Sequence, residues 1–455
     1  MSGIVRQSVD CSAAALLALH RSDCERYPAL LASTASAGEL GRYDILFCQP
    51  EARLIKRADG GLQASGVDID TSQGFLSALD FWWRRERSDS GTAAIPFAGG
   101  WFVFIGYEIA AEIEPSLDLP QSPDPVAAVA LRIPAAVVHD RRTRKTEIVA
   151  EERCAELAGV VAADLARVQL RPANPVVVER SDEADPARHL EAIRRAKDYI
   201  AAGDIYQANL SREWRVHLAR PASSADLFER LCDANPAGFA GIAALGDLAI
   251  LSSSPERLIA IRDGVVSTRP IAGTRPRAAD RGSDALDGAL LVTHPKERAE
   301  HIMLIDLERS DLGRVCEAGS VEVNELMTVE SYAHVHHIVS NVRGRLRRDK
   351  SPIDALRAVF PGGTITGVPK VRCMQIIAEL EGEGRGAYTG TMGYLNLDGS
   401  CDFNILIRTM VHRGTELRFR AGGGIVADSM PERELEETRA KARGLLRALG
   451  LDCSP

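Results

Sequence analysis

Ten residues, Ile205–Trp214, alternate so that Tyr206, Ala208, Leu210 and Trp214 fall on one side and Gln207, Asn209 and Ser211 on the other. A period of two belongs to a β-strand. Its second, polar face must meet either solvent or a wet cavity. Further strand-like runs are Tyr43–Phe47, Trp101–Tyr107, Leu248–Ser253, the His-rich Ser331–Val342, Gly390–Asn396 and Asp402–His412, with a turn at Asp398-Gly399 and a last strand running into Gly422-Gly423-Gly424. Helical patterns cover Glu151–Leu170 and His189–Ala202, where Leu190, Ile193, Ala196 and Ile200 form one stripe and Gly203 is the stop. Others start near Pro295, Pro369 and Pro431, proline being favoured at a first helical position. Strands mixed with segregated helices imply an α+β chain rather than a regular βαβ alternation.

The 455 residues allow about three domains or one composite fold. Arg171–His189 carries three prolines and a cluster of charge, a soft boundary that divides 1–175 from 176–455, the two regions intertwined in one fold. A balance of 55 basic against 63 acidic side chains gives no broad attraction to nucleic acid or anionic membrane. No run reaches the roughly 18 apolar residues of a span; the best, Val126–Val138, contains Arg132 and Pro134. Nine scattered cysteines without a C-x-x-C pair read as small buried hydrophobes in a reducing compartment. The expected location is the cytoplasm.

Two carboxylate pairs stand out. Glu297 and Glu300 open the helix after Pro295, and Glu434 and Glu437 open the closing helix. Residues at i and i+3 share a helix face, so each pair can aim two carboxylates at one spot. Four hard oxygen donors suit Mg²⁺; the structural alternative is that acidic residues favour helix N-termini and that Glu437 pairs with Lys441. His334 and His336 share one strand face and His337 takes the other, without the partner set a zinc site needs. Arg269, Arg275 and Arg277 make a basic loop, either solvated or binding a multiply anionic small molecule. The glycine triplet is either a tight turn or a place where backbone N–H groups approach a carboxylate.

Taken in order, the strings SSSPERL (252–258), RPIAGTRPR (269–277), KERAEHIMLIDLERSDLGRV (296–315), YAHVHHIVSNV (332–342), FPGGTITGVPK (360–370) and AGGGIVADS with the following PERELEET (421–438) resemble the chorismate-utilising enzymes. These are component I of anthranilate synthase and of aminodeoxychorismate synthase, with isochorismate and salicylate synthases as cousins. The likeness covers nearly all of 190–447 and, more weakly, the N-terminal third through GRYDIL (41–46). It implies a large α/β sandwich of two antiparallel sheets flanked by helices, with a deep site between them. It implies that Glu300 and Glu437 hold Mg²⁺ directly, with Glu297 and Glu434 joining through water. Arg408 and Tyr388 would grip the enolpyruvyl carboxylate of chorismate. Backbone amides at Gly422 and Gly424, with Lys441, would bind further carboxylate oxygens. His337 and Thr364 would line the ring edge where the 4-hydroxyl departs, and Glu256 would be the general acid for that departure, since hydroxide leaves poorly unless protonated.

Two positions sort the cousins. Hydrolysing and isomerising members use a lysine, as base for water, where this chain has Gln207; the expected reaction is therefore amination. Aminodeoxychorismate synthases usually carry PIKGT, whose lysine is a nucleophile, whereas Ala272 stands there as in anthranilate synthases. Against that, YQANL (206–210), NPAGF (235–239), PGGTITG (361–367) and GGGIVADS (422–429) look closer to the aminodeoxychorismate branch. LLAS (30–33) lacks the glutamate of the LLES common at the tryptophan feedback pocket. The expectation is aminodeoxychorismate synthase component I, making 4-amino-4-deoxychorismate for p-aminobenzoate and folate, with anthranilate synthase component I as alternative. No part resembles a glutaminase, so a glutamine amidotransferase subunit is the expected ammonia source.

Overall fold

The computed structural model describes residues 3–34, 41–88, 95–276, 295–331 and 335–451. Its strands assort into two sheets whose neighbours all pair antiparallel. The first sheet has twelve strands. It runs Ile4–Val9, Lys145–Glu151, Ala135–Asp140, Tyr43–Cys48, Ala29–Ala32, Phe239–Leu245, Leu248–Ser254, Thr409–Arg413, Glu416–Ile425, Gln207–Leu218 and Val178–Glu183, with Gly367–Val368 pairing the start of Gln207–Leu218. The second has eleven, from Ile271–Pro276 and Val335–Arg345 at one end, through Arg257–Arg262, Cys401–Asn404, Thr391–Asn396 and Gly100–Ile105, to Ala52–Arg57 and Leu62–Ser65 at the other. Both sheets draw strands from either side of residue 175.

Three apolar layers stack through the molecule. Phe47, Phe97, Phe102, Phe104, Ile250 and Met392 fill the space between the sheets. Helices Ala13–Ser22, Glu156–Arg167, Ser224–Ala234 and Pro431–Ala448 cover the outer face of the first sheet. Helices Phe75–Glu86, Pro295–Gly313 and Pro352–Val359 cover that of the second. This helix–sheet–sheet–helix order is the α+β sandwich the resemblance implied.

Some elements differ from the sequence reading. The helix expected over Glu151–Leu170 begins only at Glu156, because Glu151 closes a strand and Glu152–Cys154 is a 3₁₀ turn. The single strand expected over Asp402–His412 is two strands in different sheets, Cys401–Asn404 and Thr409–Arg413. Between them the chain crosses from one sheet to the other, and Arg408 takes a left-handed φ of 50°. Alternation alone cannot report a change of sheet, because both pieces keep period two. The polar side of the Ile205 run is resolved in favour of the interior: Gln207, Asn209 and Ser211 are all buried. Tyr206, by contrast, is 70% exposed, ahead of the strand's first residue, Gln207.

Candidate active site

Glu256 sits just past the end of strand Leu248–Ser254, where Pro255 stops ladder pairing. The turn is fixed locally: Ser254 donates its hydroxyl to the Ile405 carbonyl at 2.5 Å, the Glu256 N–H donates to that hydroxyl oxygen at 3.2 Å, and the Ile405 N–H donates to the Glu256 carbonyl at 3.0 Å. The side chain is buried, and burial holds its carboxyl up at about 7, although Thr364, the Ile271 amide, Lys441 and Arg408 all favour the charged form. Thr364, on the 3₁₀ turn Gly363–Ile365, donates to Glu256 Oε1 at 2.8 Å.

The Ile271–Gly273 backbone passes between this acid and a histidine. Ile271 offers its amide to Glu256, Ala272 is buried, and the Gly273 carbonyl lies 3.3 Å from His337 Nδ1. His337 is itself buried on strand Val335–Arg345, and burial, with Arg408 nearby, pushes it down to about 4. It is therefore neutral at pH 7, able to exchange a hydrogen bond without adding charge. His336 is also buried, and His334 lies outside the described residues. Arg408 is close enough to act electrostatically on both Glu256 and His337. Burial lowers its own proton affinity, and its carbonyl accepts from the N–H and hydroxyl of Ser253, both at 3.1 Å. A left-handed non-glycine backbone costs of order 1–2 kcal/mol, so these bonds hold Arg408 against strain. Glu256, Thr364, Ala272, His337 and Arg408 thus form one neighbourhood.

A second group adjoins it through Lys441, whose Nζ donates to the Gly422 carbonyl at 2.9 Å and lies 2.7 Å from Glu437 Oε1. Gly422, Gly423 and Gly424 pair with Ser211, Leu210 and Asn209, which explains the triplet. A Cβ on Gly422 would lie 2.5 Å from the Leu210 carbonyl and 2.8 Å from the Tyr388 hydroxyl. One on Gly424 would collide with the Gln207 amide. Only glycine lets Tyr388 and Gln207 approach this strand so closely. Tyr388 is buried, with its hydroxyl pushed up to about 12 by that burial. Gln207 Oε1 is buried without a hydrogen-bond partner. Beneath lies a buried network that the sequence reading missed. Glu381 accepts from the Ser211 N–H at 2.8 Å, from Arg385 at 2.7 Å and from Arg420 at 3.1 Å, while Arg385 also donates to the Asn209 carbonyl at 2.6 Å. Only the i,i+4 spacing of Glu381 and Arg385 is local; Ser211 and Arg420 come from two separate strands, which no local spacing signals.

The carboxylate pairs are placed less completely. Glu434 Oε2 and Glu437 Oε1 each lie 3.5 Å from where a Cβ on Gly423 would stand, so these two meet at one point. Glu297 and Glu300 are half-buried on helix Pro295–Gly313, which packs on strands Val335–Arg345 and Ile271–Pro276 and on the Gly363–Ile365 turn. Among the described residues no group of three or more His, Cys, Asp or Glu is gathered closely enough to hold a metal. The donors are hard carboxylate oxygens of the kind Mg²⁺ takes. Of the basic loop, Arg269 is bound by Glu325 at 2.7 Å and Glu330 at 2.5 Å; Arg277 and the Arg275 side chain lie outside what the structure describes. The LLAS run borders a separate cavity of about 960 Å³, lined by Leu31, Ala32 and Ser33 with Arg42, Phe239 and Met392 and by none of the residues above.

The chain matches the chorismate binding enzyme family over residues 41–447. It is 40% identical over 447 residues to anthranilate synthase component 1 of Pseudomonas aeruginosa, covering 93% of this chain and 90% of that one. It is 36% identical over 429 residues to aminodeoxychorismate synthase component 1 of Bacillus subtilis, covering 90% of each. The solved anthranilate synthase component I of Streptococcus pneumoniae superposes with a TM-score of 0.78 at 30% identity, over 90% of this chain and 93% of that one. MenF, the menaquinone-specific isochorismate synthase of Escherichia coli, shares the fold at a TM-score of 0.75 and 20% identity, over 98% of this chain and 94% of its own. No helix among the described residues is long and apolar enough to cross a membrane. The family match spans residues 41–447, and relatives covered to nine-tenths of their length share the two-sheet sandwich: the chain belongs to the chorismate-binding enzymes.

Proposed function

We propose that this chorismate-utilising enzyme is the amination component of an aminodeoxychorismate synthase, working with ammonia delivered by a glutamine amidotransferase subunit. The observation that carries amination is Gln207. It stands buried against Gly424 with an amide where a water-activating lysine would be required. An amide cannot take a proton from water at neutral pH, whereas ammonia already has its lone pair.

In this reading Glu256, near half-protonated at pH 7, gives its proton to the 4-hydroxyl, which leaves as water. The ammonia nitrogen bonds to the ring at C4, and the proton it sheds returns to the Glu256 carboxylate. Thr364 holds Oε1 of that carboxyl and so orients the acid. Neutral His337 lines the ring edge. Arg408 and Tyr388 bind the enolpyruvyl carboxylate, and Lys441 with the Gly422 and Gly424 amides binds a second one. Glu297, Glu300, Glu434 and Glu437 would hold Mg²⁺, Glu300 and Glu437 most directly. When bound, the ion would neutralise and orient the ring carboxylate. In the structure as it stands, Lys441 already partners Glu437.

Ala272 favours a second reading, anthranilate synthase component I, in which ammonia adds at C2, the same acid expels the 4-hydroxyl as water and pyruvate is eliminated. Alanine offers no nucleophile for a covalent route to the C4 amine. The strings at 206–210, 235–239, 361–367 and 422–429, and Ala32 in LLAS, support the C4 product. Incubation with chorismate, Mg²⁺ and ammonium, with and without the lyase that converts aminodeoxychorismate to p-aminobenzoate, decides. p-Aminobenzoate only with the lyase is expected; fluorescent anthranilate without it overturns the C4 assignment, and neither product overturns amination.

A further inference from the structure

Beside strand Gln207–Leu218, bordering the Glu381 network but lined by none of Glu256, Thr364, His337 and Arg408, lies a second cavity of about 240 Å³. Its walls are strand Gln207–Leu218, helix Pro186–Ala201 and the end of helix Lys370–Glu381, with Ala192, Leu210 and Leu380 supplying apolar surface. Its two basic side chains that are more than nine-tenths buried are His189, at 5%, and Arg212, at 2% exposed. Their hydrogen-bonding capacity is incompletely used. His189 Nε2 has no partner, and neither Nε nor Nη1 of Arg212 finds an acceptor. Arg212 Nη2 alone is engaged, by the Ala184 carbonyl and by Glu183 at 3.0 Å. The guanidinium carbon lies over Trp214, 5.0 Å from the ring centroid, and Trp214 stacks on Phe419 at 5.7 Å and 4°. It cannot easily swing out to find another acceptor. Leaving such donors unmatched costs about 1–3 kcal/mol each, more for charged groups.

The carboxylates around the cavity do not meet this need. Glu213 is bound by Arg215 at 2.5 Å, Glu381 by Arg385 and Arg420, and Glu383 by Arg420 at 3.1 Å. Glu183 is shared with Arg439 at 2.6 Å. Their presence nevertheless makes a dianion unwelcome through like-charge repulsion. His189 is kept neutral by burial, which lowers it to about 4, so it adds a hydrogen bond rather than a second positive charge. The volume is several times a water's share of liquid volume, about 30 Å³.

The geometry points to a binding site for a small organic monocarboxylate, its carboxylate on Arg212 and His189 and its apolar body against Leu210, Ala192 and Leu380. This holds whichever ring carbon the enzyme aminates. Benzoate is the probe and inorganic phosphate the dianionic control, titrated calorimetrically against the full chain, wild type and variants. One benzoate is expected to bind per chain with a Kd of about 1 mM or tighter, and phosphate is not. Arg212→Gln should weaken benzoate about tenfold or more, while Arg408→Gln, in the candidate active site, should leave this binding unchanged. Ala192→Met, which keeps every charge and fills the cavity, should also abolish it and decides the matter if the Arg212 variant does not melt cooperatively. Absence of saturable binding, binding indifferent to Arg212→Gln and Ala192→Met, or binding lost in Arg408→Gln overturns the assignment.

Discussion

Replacing Glu256 by glutamine separates two effects that burial imposes together. The carboxyl is held at about 7 against an ordinary 4.5, and each pH unit of displacement corresponds to about 1.4 kcal/mol, so keeping the ionised form in this site destabilises the fold by about 3 kcal/mol. The folded chain binds this proton more tightly than the unfolded chain does. The favourable contribution is therefore complete below pH 4.5 and is lost as the pH rises through 7. Glutamine retains Oε1 as an acceptor for Thr364, now 2.8 Å away, but has no charge to desolvate and no proton to give. The variant should lose less stability than wild type between pH 5 and pH 8, by about 3 kcal/mol in denaturant unfolding. Its kcat should drop by about 10²–10⁴, the usual contribution of a positioned general acid. Wild-type kcat, followed from pH 6 to 9 at constant free ammonia, should decline above about 7. A variant with near wild-type turnover removes Glu256 from the acid role. One whose stability follows the same pH course as wild type shows that its carboxyl is not perturbed.

Thr364→Val removes the donor that favours the ionised acid, so the alkaline decline in kcat should move to higher pH; a shift to lower pH contradicts the assignment. Gly422→Ala puts a methyl 2.5 Å from the Leu210 carbonyl and 2.8 Å from the Tyr388 hydroxyl, and should raise KM and lower the melting temperature, with unchanged values refuting the close packing. Glu381→Gln leaves buried Arg385 and Arg420 short of counter-charge and should cost about 3–5 kcal/mol in denaturant unfolding; a loss below about 1 kcal/mol would show that the network carries little of the stability. Glu437→Gln should raise the Mg²⁺ concentration for half-maximal rate about tenfold or more, and an unchanged requirement removes Glu437 from the proposed shell.

The period-two alternation of 205–214, the helix starts near Pro295, Pro369 and Pro431 and the ordered strings were all present in one dimension, and they carried the class of fold and the family. Local rules suffice there, because strand period, proline at a first helical turn and glycine where backbones crowd are properties of a few consecutive residues. What tertiary structure decided was everything that depends on separated segments meeting. It turned the polar face of Gln207, Asn209 and Ser211 inward and split the run 402–412 between two sheets at a left-handed Arg408. It also joined the Glu381–Arg385 pair to Arg420 and Ser211, and brought Glu434 and Glu437 to one point. A carboxyl's proton affinity follows from how much water and which charges surround it, so the acid at Glu256 was visible as a residue in the sequence and acquires its near-neutral titration only in the folded chain.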